Sequence, residues 1–277
     1  MLKTRVITAL ILVAILLPAL FYAPAPLWAL LIALFIGVGG WEWGALLGWD
    51  KQQRVILGMA TAVICLGLTL LDPAATGNGE FQPLRPWVLA FYGAASAFWV
   101  LLMPFWLRRK WAIRGLAGVV VGGVLLVPTW LAMVQLRAAS PWLLLAVFAL
   151  VWMADICAYF SGRAFGRHKL APTISPGKTW EGAMGAVLGV MVYGFFVLSR
   201  VEVALPALPV LVLALLAVTA VSIVGDLFES LLKRKAGIKD SSNILPGHGG
   251  VLDRIDSLTS TLPVVAFLWL LLFHSGS

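Results

Sequence analysis

The sequence predicts an all-α, polytopic integral membrane protein with about nine transmembrane helices. Of its 277 residues, 61% are hydrophobic and 12% are charged, which is about half the charged share of a soluble domain. Apolar runs of about 17 to 23 residues recur along the chain, and each is long enough to cross a hydrocarbon core of about 30 Å as a helix. The alternating polarity of a membrane β-barrel strand is absent.

Nine runs meet this length requirement, and Pro, Gly or charged residues bound them. They lie at approximately 6–22, 27–48, 55–71, 87–107, 115–136, 141–160, 182–199, 206–228 and 258–273. The first run resembles a secretory signal peptide, and Ala23-Pro24-Ala25 imitates a cleavage site. We expect this run to be retained as a helix, because it is long for a signal core and has a proline beside the cut.

Basic residues are concentrated on one side of this topology. All lysines and arginines except Arg85, Arg137 and Arg200 fall at the N-terminus or in alternate loops. The positive-inside rule therefore predicts a cytoplasmic N-terminus and an external C-terminus. The net charge of +8 is then a cytoplasmic field that suits an anionic lipid head group and a nucleotide. No motif supports binding of nucleic acid.

A polar block at residues 230–256 stands between two long apolar runs. It reads SLLKRKAGIKDSSNILPGHGGVLDRID. Topology alone would explain its basic residues, but it does not explain Asp240, Asp253 and Asp256 among them. The mixture predicts a site that handles a charged group, most simply a phosphate with its metal ion.

Acidic residues flank this block at both ends. Asp226 closes the preceding apolar run, and Glu229 shares its helix face, while Asp253 and Asp256 are expected on the turn that enters the last span. If the block folds back, the two pairs meet, and such oxygen ligands hold magnesium once water or substrate phosphate completes the shell. We therefore predict a magnesium site among Asp226, Glu229, Asp253 and Asp256. The alternative is a set of ordinary ion pairs with Lys233, Arg234 and Arg254.

Three glycines, Gly247, Gly249 and Gly250, surround His248. They permit tight turns with exposed N–H groups, a feature that phosphate cradles share with plain turns. His248 is a candidate general base or phosphate donor, or simply a loop histidine.

A second polar block, residues 155–182, is expected on the same side and reads DICAYFSGRAFGRHKLAPTISPGKTWEG. Its candidate phosphate ligands are Arg163, Arg167, Lys169 and Lys178. Residues 175–179 look like the end of a nucleotide P-loop, but the first glycine of that motif would be Pro172, and no strand is expected before it. A Walker fold is therefore rejected.

Two further carboxylates lie inside predicted spans, where burial of a charge is costly. Asp155 is either a functional group or the partner of Arg163 or another helix. Glu42, between Trp41 and Trp43, is interpreted as a hydrogen-bonding site between helices rather than a catalytic group.

With these motifs in place, the chain resembles the CDP-diacylglycerol synthases, also called phosphatidate cytidylyltransferases. The family signature runs through the polar block in order, without departure. Its elements are Ser230, Lys233, Arg234, Lys239, Asp240, Ser242, Pro246, His248, Gly249, Gly250, Asp253, Arg254 and Asp256. The resemblance covers roughly the C-terminal half, including the 155–182 block, whereas the N-terminal half matches only as a run of helices.

The resemblance implies condensation of CTP with phosphatidate, with Mg²⁺ and a second cation, by a homodimer in the bacterial cytoplasmic membrane whose site faces the cytoplasm. The implied catalytic residues are Asp226, Asp253, Asp256, Lys239 and His248. The implied phosphate-binding residues are Ser175, Lys178, Lys233, Arg234, Asp240, Gly249, Gly250 and Arg254. We expect membrane helices in residues 1–137 and a catalytic region in 138–277, with cytoplasmic loops at 161–181 and 229–257.

Two other functions stay open at this point. A CTP-dependent lipid kinase would use a similar basic, metal-containing site but would transfer the terminal phosphate. An ion or solute transporter would also carry buried acids, although transporters place them near the bilayer midplane between broken helices.

Overall fold

The computed structural model describes residues 2–200 and 206–273, and the side chains of Leu2 and Lys3 lie outside this description. Within it, nine helices are long and apolar enough to cross a bilayer, which confirms the all-α polytopic class. The helices are α1 (Leu2–Tyr22), α2 (Ala25–Leu46), α3 (Lys51–Leu71), α4 (Pro86–Ala97), α5 (Met103–Arg109), α6 (Gly115–Ala139), α7 (Pro141–Phe165), α8 (Trp180–Leu198), α9 (Leu208–Ala236) and α10 (Leu252–Phe273).

One span is formed by α4 and α5 together, joined by a π-helical turn at Phe98–Leu102. Pro104 follows this turn. A proline has no N–H group to donate within the helix, and its ring clashes with the carbonyl group four residues earlier. A locally wider π-helical turn accommodates both effects. The amide of Met103 accordingly donates to the carbonyl of Phe98, five residues earlier.

The helices that border the 230–256 block are longer than hydropathy predicts. Helix α9 continues to Ala236, where Gly237 ends it with a left-handed φ of 70°, and α10 begins at Leu252. The expected loop at 229–257 is therefore only the 237–251 loop, and the expectation of a turn at Asp253 and Asp256 is wrong. A hydropathy criterion does not detect these polar turns of α9 and α10, because their residues face a site instead of lipid.

Helices α2, α6 and α10 form the centre of the bundle. In each of them 61% to 72% of the most apolar window is buried, compared with 6% for α1 and 17% for α3. Indole groups fix these contacts, since Trp43 Nε1 on α2 donates to the carbonyl of Gly118 on α6 over 2.9 Å. Helix α10 therefore packs against the N-terminal helices α4 and α6 as well as α9. The predicted division at residue 138 stays a prediction.

Helices α7 and α8 pack through small residues and carry a hairpin between them. A Cβ atom added at Gly185 of α8 would lie 2.3 Å from Ser161 Cβ on α7. Strands β1 (Lys169–Ala171) and β2 (Ser175–Thr179) pair antiparallel in the connection. The expectation that no strand precedes Pro172 is thus wrong, although a P-loop stays excluded because a proline occupies its first glycine position.

The 72–85 connection packs at the end of the bundle away from this hairpin. Trp87 Nε1 donates to Asp72 Oδ2 over 3.0 Å, and Arg85 Nε lies 3.4 Å from the same oxygen. These contacts, with the Trp87 hydrogen bond as the largest influence, hold the pKa of Asp72 below its ordinary value. The amide of Gln135 on α6 also donates to the carbonyl of Ala75, so the loop is tied to the centre of the bundle.

We predict that Gly185→Ala lowers the free energy of unfolding by about 1 to 3 kcal/mol, because the added methyl group overpacks the α7–α8 contact. Gly67→Ala in α3 is the matched control, since its Cβ would meet no atom within 4 Å. Thermal unfolding of both variants in detergent measures the difference. Equal stability of the two variants would contradict the packing described for α7 and α8.

Candidate active site

The 237–251 loop closes as a tight turn at one end of the bundle. Leu245 N donates to the carbonyl of Gly249 over 2.9 Å, and His248 N donates to that of Leu245 over 2.8 Å. Gly247 and Gly249 have φ values of 76° and 80°, in the left-handed region that disfavours other residues. The glycine pattern is therefore needed for the turn itself.

A buried ammonium group joins the two helices that border this loop. Lys233 Nζ on α9 lies 2.9 Å from Glu229 Oε2 one turn earlier and 2.6 Å from Asp253 Oδ1 on α10. The side chains are only 16%, 8% and 3% exposed, respectively. In such surroundings each charge requires its partner. Part of the ion-pair alternative is thus present, and Lys233 acts as a link between carboxylates.

Asp253 also organises the loop from within. Its Oδ2 atom accepts hydrogen bonds from Ser241 N (2.8 Å), Ser241 Oγ (2.9 Å) and Gly250 N (2.7 Å). With Lys233 on the other oxygen, four donors surround this carboxylate. The amide of Gly250 consequently points at Asp253, and Asp253 has the contacts of a structural anchor.

Asp226 connects α9 to the β1–β2 hairpin. Its Oδ2 atom lies 2.5 Å from Lys178 Nζ on β2, and its Oδ1 atom accepts from Ser230 Oγ over 3.3 Å. Both members of the ion pair are partly exposed, at 24% and 29%. The 155–182 block therefore meets α9 just before the 230–256 block, and Asp226 has the cationic partner that its position requires.

The remaining acids complete a cluster around Asp226. The backbone of α10 comes so close to Gly225 that an added Cβ would lie 2.8 Å from the carbonyl oxygen of Asp256. Asp256 interacts electrostatically with Asp226, Glu229 and Asp155, and Asp155 interacts with Lys178 and Arg254. Asp155 thus faces the cluster, whereas Arg163 donates to Tyr159 instead.

Acidic groups outnumber basic groups in this cluster. Its acids are Asp155, Asp226, Glu229, Asp253 and Asp256, and its bases are Lys178, Lys233 and Arg254. If all are ionised, two negative charges are uncompensated, and Glu229 Oε1 is buried with no hydrogen-bond partner in the described part of the chain. A divalent cation with oxygen ligands fits both features.

Among the described residues, no three His, Cys, Asp or Glu side chains already surround a common metal position. Magnesium is commonly held by only one or two carboxylates, with waters and substrate phosphates filling the other positions. The carboxylates of the cluster are therefore suited to a metal that arrives with its nucleotide.

The other predicted site residues lie on the β1–β2 hairpin, at the end of α9, on the 237–251 loop and at the start of α10. Arg234 Nε donates to the carbonyl of Ile174 over 3.4 Å, which ties α9 to the hairpin that carries Ser175. Lys239, Asp240 and Arg254 are exposed. His248 is half-buried, and its Nδ1 atom has no hydrogen-bond partner among the described residues.

Glu42 is the residue whose importance to the site is missed by sequence reasoning. Its interpretation as a hydrogen-bonding site is confirmed, but its partners are Ser242, Val251 and Leu252, at the end of the 237–251 loop. The sequence signal for Glu42 is its position within a predicted span, where burial of a carboxylate is costly. The loop partners are about 200 residues away, so no local pattern could identify them.

Fold and site together define a class: a polytopic membrane protein with an acid-rich cluster of charges at one end of its helices. The chain belongs to the cytidylyltransferase family, whose model matches residues 3–272. A phosphatidate cytidylyltransferase of Pseudomonas aeruginosa is 43% identical over 278 residues, which cover 97% of each chain. That of Haemophilus influenzae is 35% identical over 289 residues, covering 97% of this chain and 99% of the relative. A Thermotoga maritima relative of the same name is 41% identical over 124 residues, or 43% of this chain and 46% of its own.

We predict that Lys233→Met lowers the free energy of unfolding by about 3 to 5 kcal/mol, because it leaves Glu229 and Asp253 buried without their cation. Lys51→Met is the matched control, because this lysine is exposed at the start of α3, and its expected change is within about 0.5 kcal/mol. Thermal unfolding in detergent separates the two. A Lys233 variant as stable as the control would show that the buried link contributes nothing.

Proposed function

We propose that this protein condenses CTP with phosphatidate to form CDP-diacylglycerol and pyrophosphate, the activity in the names of its relatives. The supporting observation is the Lys178–Asp226 pair, which joins the 155–182 block to α9, the helix that leads into the 230–256 block. Anionic substrates can approach such a site from the membrane surface, where a lipid phosphate and a soluble triphosphate are both accessible.

In the proposed reaction, a phosphate oxygen of phosphatidate forms a bond to the α-phosphorus of CTP. The bond from that phosphorus to the oxygen bridging to the β-phosphorus breaks, and pyrophosphate leaves with this oxygen. The attacking phosphate is already ionised, so the step needs no general base. The protein contributes by positioning the two phosphates in line and by offsetting their negative charge.

Exposed basic side chains are the main proposed phosphate ligands. Lys239, Arg234 and Arg254 are exposed at the site. Lys178 would move from Asp226 to a substrate phosphate when a cation reaches the carboxylate. Lys233, in contrast, is held by two carboxylates, so we assign it the positioning of Glu229 and Asp253 in place of direct phosphate binding.

We keep Asp226, Asp253 and Asp256 as the proposed magnesium-binding acids. We expect Asp226 and Asp256 to contribute more to metal binding than Asp253. Asp253 already accepts from four donors, whereas, among the described residues, the Asp256 side chain accepts only from the adjacent Ser257 N. When bound, magnesium would reduce the negative charge of the triphosphate. Ser175, Asp240, His248, Gly249 and Gly250 stay predicted contributors. The second cation also stays a prediction.

We also propose a homodimer in the bacterial cytoplasmic membrane with its site facing the cytoplasm. The bacterial origin of the relatives and the one-sided distribution of Lys and Arg support this placement. A transporter is less consistent with the cluster, because its charged groups gather at one end of the helices rather than at midplane.

The function is tested with detergent-purified protein, phosphatidate, Mg²⁺ and CTP labelled in either the cytidine or the γ-phosphate. We expect cytidine label in the lipid and γ-label in released pyrophosphate. Entry of γ-label into the lipid, with release of CDP, would establish the lipid kinase instead. Cation flux into liposomes without CTP would favour the transporter.

We predict that Asp226→Asn lowers kcat by about 100-fold or more, equivalent to about 2.7 kcal/mol or more of lost stabilisation. The physical reason is that an amide lacks the charge to bind magnesium and to direct Lys178. Asp72→Asn is the control, because it removes a hydrogen-bonded carboxylate from the opposite end of the bundle. Near-normal turnover by the Asp226 variant would refute its proposed role.

Removal of divalent cations with EDTA is expected to abolish turnover, and Mg²⁺ to restore it. In Asp256→Asn, the Mg²⁺ concentration for half-maximal rate should rise about tenfold or more, because one carboxylate ligand is lost. Titration of the initial rate with Mg²⁺ measures this. An unchanged magnesium dependence would remove Asp256 from the metal site.

A further inference from the structure

Glu42 is a fully buried carboxylate on α2 that reaches across to the 237–251 loop. Its side chain is 0% exposed. Oε1 accepts hydrogen bonds from Ser242 Oγ (2.5 Å) and Val251 N (2.9 Å), and Oε2 accepts from Leu252 N (2.7 Å). Within the described residues, no Lys, Arg or His forms an ion pair with it. The three donors are thus its means of compensating for burial.

Two of these donors are the backbone N–H groups at the very start of α10. The first N–H groups of a helix have no partner within the helix, and the positive end of its dipole favours a negative charge there. The acceptor for these N–H groups is usually a side-chain oxygen from the residue that begins the same helix. Here Glu42, about 200 residues earlier, provides it, and the start of the helix carrying Asp253 and Asp256 is attached to α2.

Glycine at position 250 is explained by the same contact. A Cβ atom there would lie 2.3 Å from Glu42 Oε1 and 2.1 Å from Ser241 Oγ. A residue with a Cβ atom could not bring the loop backbone this close to the Glu42 carboxylate without a shift of its neighbours. Thr8 of α1 adds a contact at the outer part of the loop, where its Oγ1 atom donates to the carbonyl of Pro246 over 2.9 Å.

We infer that Glu42 is a positioning residue for the site: it fixes the start of α10, and with it the placement of Asp253, Arg254 and Asp256, from the N-terminal half of the chain. The inference rests on the proposed function for its catalytic consequence. Its structural part, attachment of the loop by Glu42, is independent of which reaction the site performs.

The test uses Glu42→Gln in the full-length protein. The amide has nearly the same shape, but its NH₂ group must face either Leu252 N or the Val251 and Ser242 donors, so at least one N–H at the start of α10 loses its acceptor. We expect kcat to fall about 10- to 100-fold, as for a small misplacement of catalytic groups. The KM for CTP should change by less than about threefold, because the exposed phosphate ligands remain.

Hydrogen exchange followed by mass spectrometry supplies a readout besides activity. Peptides covering 241–256 should exchange about tenfold faster in Glu42→Gln, while peptides from α7, α8 and the hairpin stay unchanged. Tyr92→Phe is the matched control, since it breaks a buried hydrogen bond to Gln135 at the other end of the bundle. It should alter neither the exchange of 241–256 nor kcat. Glu42→Asp keeps the charge on a shorter side chain and should retain more kcat than Glu42→Ala.

Three outcomes would overturn the inference: wild-type kcat in Glu42→Gln, a kcat loss with unchanged exchange in 241–256, or faster exchange spread evenly over the chain. The last would make Glu42 a general stabiliser of the bundle. If the wild-type protein itself transfers no cytidylyl group, the proposed function fails. The exchange comparison would still decide whether Glu42 holds the loop.

Discussion

The contact between Lys233, Glu229 and Asp253 is the interaction on which the site depends. It brings the polar turns of two membrane helices together at one end of an apolar bundle, where neither carboxylate would be stable alone. The same contact orients Asp253 so that its second oxygen can accept from Ser241 and Gly250. The loop, the helix start and the acidic cluster all follow from this arrangement.

The acids of the cluster and the nearby Glu42 then divide between two tasks. Glu42 and Asp253 are saturated with donors and hold the backbone of the loop. Asp226 is paired with a lysine that a substrate phosphate can attract, and Glu229 retains a buried oxygen without a partner. Rigid carboxylates thus support a group of less satisfied ones, as expected where structural contacts orient the residues that bind a metal.

The N-terminal half contributes more than membrane anchorage. Helix α2 supplies Glu42, and α1 supplies Thr8, so two separate helices of the N-terminal half are attached to the loop. These attachments explain why a sequence match limited to the C-terminal half would leave the site incomplete. They also place a buried charge where the low polarity of the surroundings makes every hydrogen bond to it stronger.

The amino-acid sequence by itself determined the membrane class, the nine spans and the membership of Asp226, Asp253 and Asp256 in one polar region, because hydropathy and spacing are local properties. Tertiary structure decided what each charged group contacts. The sequence predicts that Lys233 and Gly250 bind phosphate, yet both donate to neighbouring carboxylates. The turn expected at Asp253 is helical. Glu42 meets its partners only through the packing of α2 against α10. Such long-range pairings depend on how helices are arranged in space, which no local pattern of residues specifies.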